Sequence, residues 1–226
     1  MENTILFHGS TKIIERPKLG VGNPKNDYGL GFYCTEHLDL AKEWACTDHL
    51  GGFANKYALD ETGLRILQLK SSDYHILNWL AILLENRTFV IADGLPKEAR
   101  DYLLQTFLPE YQSFDVIVGY RADDSYFAFA NAFLNNTISL EQLGHTMHLG
   151  NLGEQVVLKS EKAFFQLSYL GSIPAEQTIY YPKRMARDKQ AREDFQKTKS
   201  AVNASEQIFM IDILRQKWSN DDPRLF

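Results

Sequence analysis

Short apolar runs broken by turn residues alternate along this chain with stretches of helical period. Residues 4–7 are apolar and stop at His8-Gly9-Ser10, which predicts a strand leading into a turn. A loop rich in Gly, Pro and Asn spans 17–28 and passes through Gly29, Leu30 and Gly31 into a second strand, Phe32-Tyr33-Cys34-Thr35. Leu38, Ala41, Trp44 and Ala45 then recur at helical spacing, with Thr35 or Asp39 available to cap the start. Residues 57–59 and 64–69 predict two strands around a turn at Asp60-Glu61-Thr62-Gly63.

From 73 to 107 the period is helical, carried by Ile76, Leu77, Leu80, Ile82 and Leu83 and again by Tyr102, Leu103 and Phe107. Residues 114–120 form a compact strand, followed by a polar turn at Arg121-Ala122-Asp123-Asp124 and a helix bearing Tyr126, Phe127, Phe129, Ala130 and Phe133. Ser139 and Gln142 have capping-box spacing for a further short helix. Residues 155–158 predict one more strand, and 163–167 begin the next element. The charge-dense stretch 183–199 reads as a solvated helix or a linker, and 208–218 as an amphipathic helix with Ile208, Ile211, Leu214 and Trp218 on one face. Helices and short strands alternate irregularly, so the fold class is α+β rather than a regular βαβ series.

Composition narrows the function classes. With 44% hydrophobic residues, 14 Gly and 7 Pro, the 226-residue chain is a folded globular protein. A formal charge of -5 gives no electrostatic case for non-specific nucleic-acid binding over the whole surface. Cys34 and Cys46 have neither CxxC spacing nor the density of a disulfide framework. The opening residues lack a basic segment followed by a long apolar core, and no stretch approaches the ~20 apolar residues of a membrane span. A soluble, cytoplasmic protein without a membrane partner is the expectation.

Two clusters carry candidate chemistry. His8-Gly9-Ser10 offers an imidazole and a hydroxyl beside a glycine that admits close approach to the backbone. Gly31-Phe32-Tyr33 is followed eleven residues later by Trp44, and a Tyr with a Trp can sandwich a flat ring, although both residue types also fill ordinary cores. His145 and His148, spaced i, i+3, have no third ligand nearby, so no metal is expected.

Taken together, His8-Gly9-Ser10, Gly31-Phe32-Tyr33 and Trp44 resemble the donor site of ADP-ribosyltransferases of the diphtheria-toxin and poly(ADP-ribose) polymerase type. Asn151-Leu152-Gly153-Glu154-Gln155-Val156-Val157-Leu158 looks like the strand that holds that family's catalytic glutamate. More narrowly, 7–45 and 115–163 resemble the bacterial family catalogued as domain of unknown function 3990, which is grouped with this fold.

The resemblance implies a split two-sheet fold with helices packed outside, a catalytic domain over 1–180 with a helical insertion at 71–112, and a C-terminal helical extension over 181–226. It implies NAD as co-substrate, held by His8, Gly9, Ser10, Gly31, Tyr33 and Trp44. Gly9 would take the nicotinamide carboxamide, His8 the adenosine ribose, and Tyr33 with Trp44 the nicotinamide ring. Glu154 would be the carboxylate that stabilises the oxocarbenium-like transition state. A slip of one residue would put Gln155 there instead, with Asp123 or Asp124 as substitute acids and Arg121 available for a phosphate. The implied activity is mono-ADP-ribosyl transfer to a protein or nucleic-acid acceptor, as an effector or as the toxin of a toxin–antitoxin pair with an antitoxin protein as partner. The alternatives are a degenerate NAD- or ADP-ribose-binding module and an NAD glycohydrolase.

Overall fold

In a computed structural model, of which residues 3–88, 90–122, 124–146, 153–200 and 207–226 are described, the apolar runs form two sheets. Strands β1 (Thr4–Ser10), β3 (Gly52–Leu59) and β7 (Leu167–Ala175) make an antiparallel sheet in the order β1-β3-β7. Strands β2 (Phe32–Cys34), β6 (Glu154–Leu158), β5 (Val116–Tyr120) and β4 (Ile66–Gln68) make the other, in the order β2-β6-β5-β4, with β4 parallel to β5. Strand alternation turns Leu6, Tyr57 and Leu59 of the first sheet and Phe32, Cys34, Val116, Val118, Val156 and Leu158 of the second into one shared core. Burying each large side chain there contributes about 1.5–3 kcal/mol over leaving it exposed.

The sheets touch edge to edge at one antiparallel bridge, Phe7 with Thr35, closed by Phe7 N–H to Thr35 O at 2.8 Å and Thr35 N–H to Phe7 O at 2.9 Å. β1 runs through His8-Gly9-Ser10 instead of ending there, because β3 starts early enough to pair Phe53 with Ser10. The strands around the turn at 60–63 are not a hairpin. The Asp115 carboxylate accepts the Arg65 N–H at 2.8 Å, and the Arg65 carbonyl accepts the amides of Asp115 and Val116 at 2.9 and 3.2 Å. These contacts draw β4 alongside β5 in parallel, which requires a long crossover. Helix α1 (Leu38–Ala45) starts after His37 and has no side-chain cap; Thr35 Oγ1 accepts the His37 amide at 3.2 Å instead.

The chain divides into two compact units. The first, 1–68, 110–121 and 152–187, holds both sheets, α1, α6 (Glu161–Phe165) and the first part of α7 (Gln177–Ser200). The second, 69–109, 122–151 and 188–226, holds α2 (Ile76–Asn86), α3 (Leu95–Thr106), α4 (Asp124–Leu134), α5 (Leu140–Thr146), α8 (Met210–Gln216) and the rest of α7. Residues 71–109 of the expected insertion and 188–226 of the expected extension fall in the second unit, and 110–112 and 181–187 in the first. α2 is its central helix, buried from Leu77 to Leu84. Its one buried amide there, Asn78, donates to the Phe107 carbonyl at 2.8 Å and to Asn220 Oδ1 at 2.6 Å. α5 opens with the expected capping box: the Ser139 amide donates to Gln142 Oε1 at 2.8 Å and the Gln142 amide to Ser139 Oγ at 3.2 Å. The stretch 183–199 is helix rather than linker, and buries Ala191 and Phe195. Among the described residues no helix is long and apolar enough to cross a membrane.

Candidate functional site

Beyond the Phe7–Thr35 bridge, β1 and β2 form no further ladder among the described residues. His8 shares the core face of β1 with Leu6, and its ring stacks on Phe32 with centroids 4.3 Å apart and planes 27° from parallel. His8 Nδ1 donates to the Tyr33 carbonyl at 2.7 Å. Burial lowers the pKa of this imidazole, against the opposing pull of the Tyr33 bond. The ring is therefore neutral at pH 7, with Nε2 left as the acceptor.

Gly9 is the next residue. Backbone groups two residues apart on a strand point to the same edge, so the Gly9 N–H and C=O face the side on which Phe7 meets Thr35. Continuing that antiparallel register sets Gly9 opposite Tyr33. On its other side a Cβ at Gly9 would run into the Ala41 carbonyl oxygen and lie 2.8 Å from Trp44 Cβ and 2.9 Å from the Ala45 nitrogen. The missing side chain is what lets α1 rest on the strand, and it brings Trp44 beside Gly9. Ser10 Oγ accepts the Lys12 amide at 3.2 Å.

Just before β2, a Cβ at Gly31 would come within 2.6 Å of Val157 Cγ1, so that glycine serves close packing on β6. The Tyr33 hydroxyl donates to the Gly29 carbonyl at 2.5 Å and accepts the Tyr28 amide at 3.1 Å, which fixes the ring against its own loop. Trp44 is half-buried; its Nε1 is fully buried without a hydrogen-bond partner. The Arg121 guanidinium lies over the Trp44 ring, 4.4 Å from its centroid.

The loop between β1 and β2 is tied at both ends. Buried Asn55 accepts the Ile14 amide at 2.9 Å and donates to the carbonyls of His8 and Lys12, each at 3.2 Å. At the far end the Tyr28 hydroxyl donates to the Tyr120 carbonyl at 2.6 Å, and Lys159 Nζ donates to the Tyr28 carbonyl. Between these ties the loop borders a cavity of about 460 Å³ lined by His8, Arg16, Lys18, Gly31, Phe32 and Tyr33, among others. Arg16, Lys18 and the Phe32 stack were not legible as site residues in the sequence; alternation alone could have paired Phe32 with His8.

The late strand distinguishes Glu154 from Gln155. Glu154 shares the core face of β6 with Val156 and Leu158 and is half-buried at the strand's start, whereas Tyr33, paired with Val157, shares the face of Gln155. Gln155 is turned the other way; it is 5% exposed, and its Nε2 donates at 3.0 Å to Asp27 Oδ2, itself 2% exposed. Nothing in the sequence marks Asp27. Because a carboxylate at 155 would face that of Asp27 away from water, Gln155→Glu is expected to lower stability by about 2–4 kcal/mol. Urea denaturation measures this, and an unchanged midpoint would refute the pairing.

Asp123 lies outside the described residues, as do the Asp124 side chain, Asn151, Leu152 and His148. His145 is exposed in the last turn of α5, and no metal-binding cluster of three occurs among the described residues. Two cations of α7 are taken up structurally, Arg184 donating to the Cys46 carbonyl at 3.2 Å and Arg187 pairing with Glu43 at 2.9 Å, while Lys189 and Lys197 stay on the solvated face.

The model of a family described as a protein of unknown function, DUF3990, matches residues 4–169. Neither the curated proteins nor the solved structures contain a match. The match covers both sheets up to the start of β7, together with α1 to α6, and the chain belongs to this family.

Proposed function

We propose that the chain binds NAD where β1 and β2 part and transfers its ADP-ribose to a macromolecular acceptor, as a mono-ADP-ribosyltransferase. The observation that supports this most is the edge beyond the Phe7–Thr35 bridge, where Gly9 presents a backbone N–H and C=O opposite Tyr33, with Trp44 packed alongside. A donor and an acceptor on one edge complement a primary carboxamide, and flanking aromatic rings suit the nicotinamide that carries it. His8 Nε2 accepts from a ribose hydroxyl, and Arg16 and Lys18 in the adjoining cavity hold the diphosphate.

In the reaction the bond between nicotinamide and ribose breaks, the electron pair leaves with nicotinamide, and positive charge builds on the ribose. The Glu154 carboxylate stabilises that charge more than it stabilises bound NAD, which lowers the barrier. An acceptor nucleophile then bonds to the same ribose carbon and loses its proton. The acceptor is a protein or a nucleic acid, in keeping with an effector or with a toxin restrained by an antitoxin protein.

Adenylate-labelled NAD incubated with the purified chain and a cell lysate tests this. Label on protein or nucleic acid supports transfer; free ADP-ribose alone assigns hydrolysis, and intact NAD assigns a binding module. Trp44→Ala and Tyr33→Ala are each expected to weaken NAD binding by about 1–3 kcal/mol through lost stacking and burial. Calorimetry that finds unchanged affinity in both variants rules out the ring sandwich.

A further inference from the structure

Helix α1, which carries Trp44, has eight residues and no side-chain cap, too little to hold its own position. On one side it rests on Gly9. On the other, the first turns of α7 hold its last turn and the residues that follow it. Arg187 binds the buried Glu43 carboxylate with two donors, Nε to Oε2 at 3.0 Å and Nη2 to Oε1 at 2.9 Å. Arg184 donates to the carbonyl of Cys46, the residue that closes the helix. Lys42 donates to the Tyr180 hydroxyl at 3.1 Å, and Gln177 to the Asp48 carbonyl at 3.0 Å. The family match ends at residue 169, so this whole brace lies beyond the shared domain.

We infer that Arg187, through Glu43, is a positioning residue for Trp44, and that the start of α7 sets the nicotinamide side of the site. The inference rests on Trp44 being one wall of an NAD site. Glu43 precedes Trp44 directly and is 2% exposed, so the planar guanidinium fixes the helix backbone at that point rather than decorating a surface. A disturbance there is expected to move Trp44, which is not among the residues lining the cavity of His8, Arg16 and Lys18.

The test uses the full chain and two ligands, NAD and ADP-ribose, which differ by the nicotinamide. Arg187→Lys keeps a cation beside Glu43 but removes the fork, and Glu43→Gln removes the charge while keeping the shape. Both are expected to weaken NAD binding about twofold to tenfold, the range of one stacked ring pair, and to leave ADP-ribose binding unchanged. Equal losses for both ligands would mean a general structural role and overturn the inference, as would unchanged NAD binding in both variants. Trp44→Ala in the same series separates the failures. If it leaves NAD affinity intact, the wall assignment is wrong and the inference falls with it. If it weakens NAD while the Arg187 and Glu43 variants do not, only the brace is refuted. A wild-type chain that binds neither ligand removes both.

Discussion

Glu154→Gln is expected to keep NAD binding within about twofold while lowering nicotinamide release by about 10²-fold or more, the usual scale for removing one preorganised electrostatic contact to a transition state. The amide has the same shape and retains a hydrogen bond, so the ground state is little affected; what disappears is the charge that opposes the developing oxocarbenium. Glu154 sits half-buried at the start of β6 on the same face as Val156 and Leu158, four residues from Leu158, the partner of Phe32. Steady-state nicotinamide release and an NAD titration on the same preparation separate turnover from binding. Full turnover in the variant would place the carboxylate elsewhere, and Asp123 and Asp124 would be the next residues to change.

Gly9→Ala should be the most damaging single-methyl substitution in the first unit, costing about 1–3 kcal/mol of stability or more. The backbone at Gly9 is not in the left-handed region, so conformational freedom is not the reason. The added carbon would meet the Ala41 carbonyl and the Ala45 nitrogen of the helix backbone and the Cβ of Trp44, none of them a flexible end that can swing aside. α1 would have to lift off β1, taking Trp44 with it, so NAD affinity is expected to fall beyond what stability alone explains. Chemical denaturation and calorimetry on the soluble variant measure the two effects. An unchanged midpoint would show that α1 tolerates displacement, and would weaken the account of why glycine stands there.

The elements that carry the candidate residues were readable because they are short and their period is strong: β1 with His8 and Gly9, β2 with Tyr33, and α1 with Trp44. The choice between Glu154 and Gln155 was not readable, since neighbouring strand residues face opposite ways and only the partners of β6 reveal which way each points. The two strands around the turn at 60–63 were readable because turn chemistry is local, but their pairing was not, since the Arg65–Asp115 contacts that draw β4 to β5 span 50 positions. Arg16 and Lys18 belong to a loop whose path depends on Asn55, a buried amide on a different strand. Arg187 of α7 looked solvated because its partner is a glutamate on α1, 144 positions away.

Chromatography of the purified protein incubated with NAD asks whether the chain breaks the nicotinamide bond. Free nicotinamide is expected to accumulate with time in the wild-type reaction, to rise further when lysate supplies acceptors and to be all but absent with Glu154→Gln. NAD recovered intact from the wild-type reaction with and without lysate would contradict the proposal.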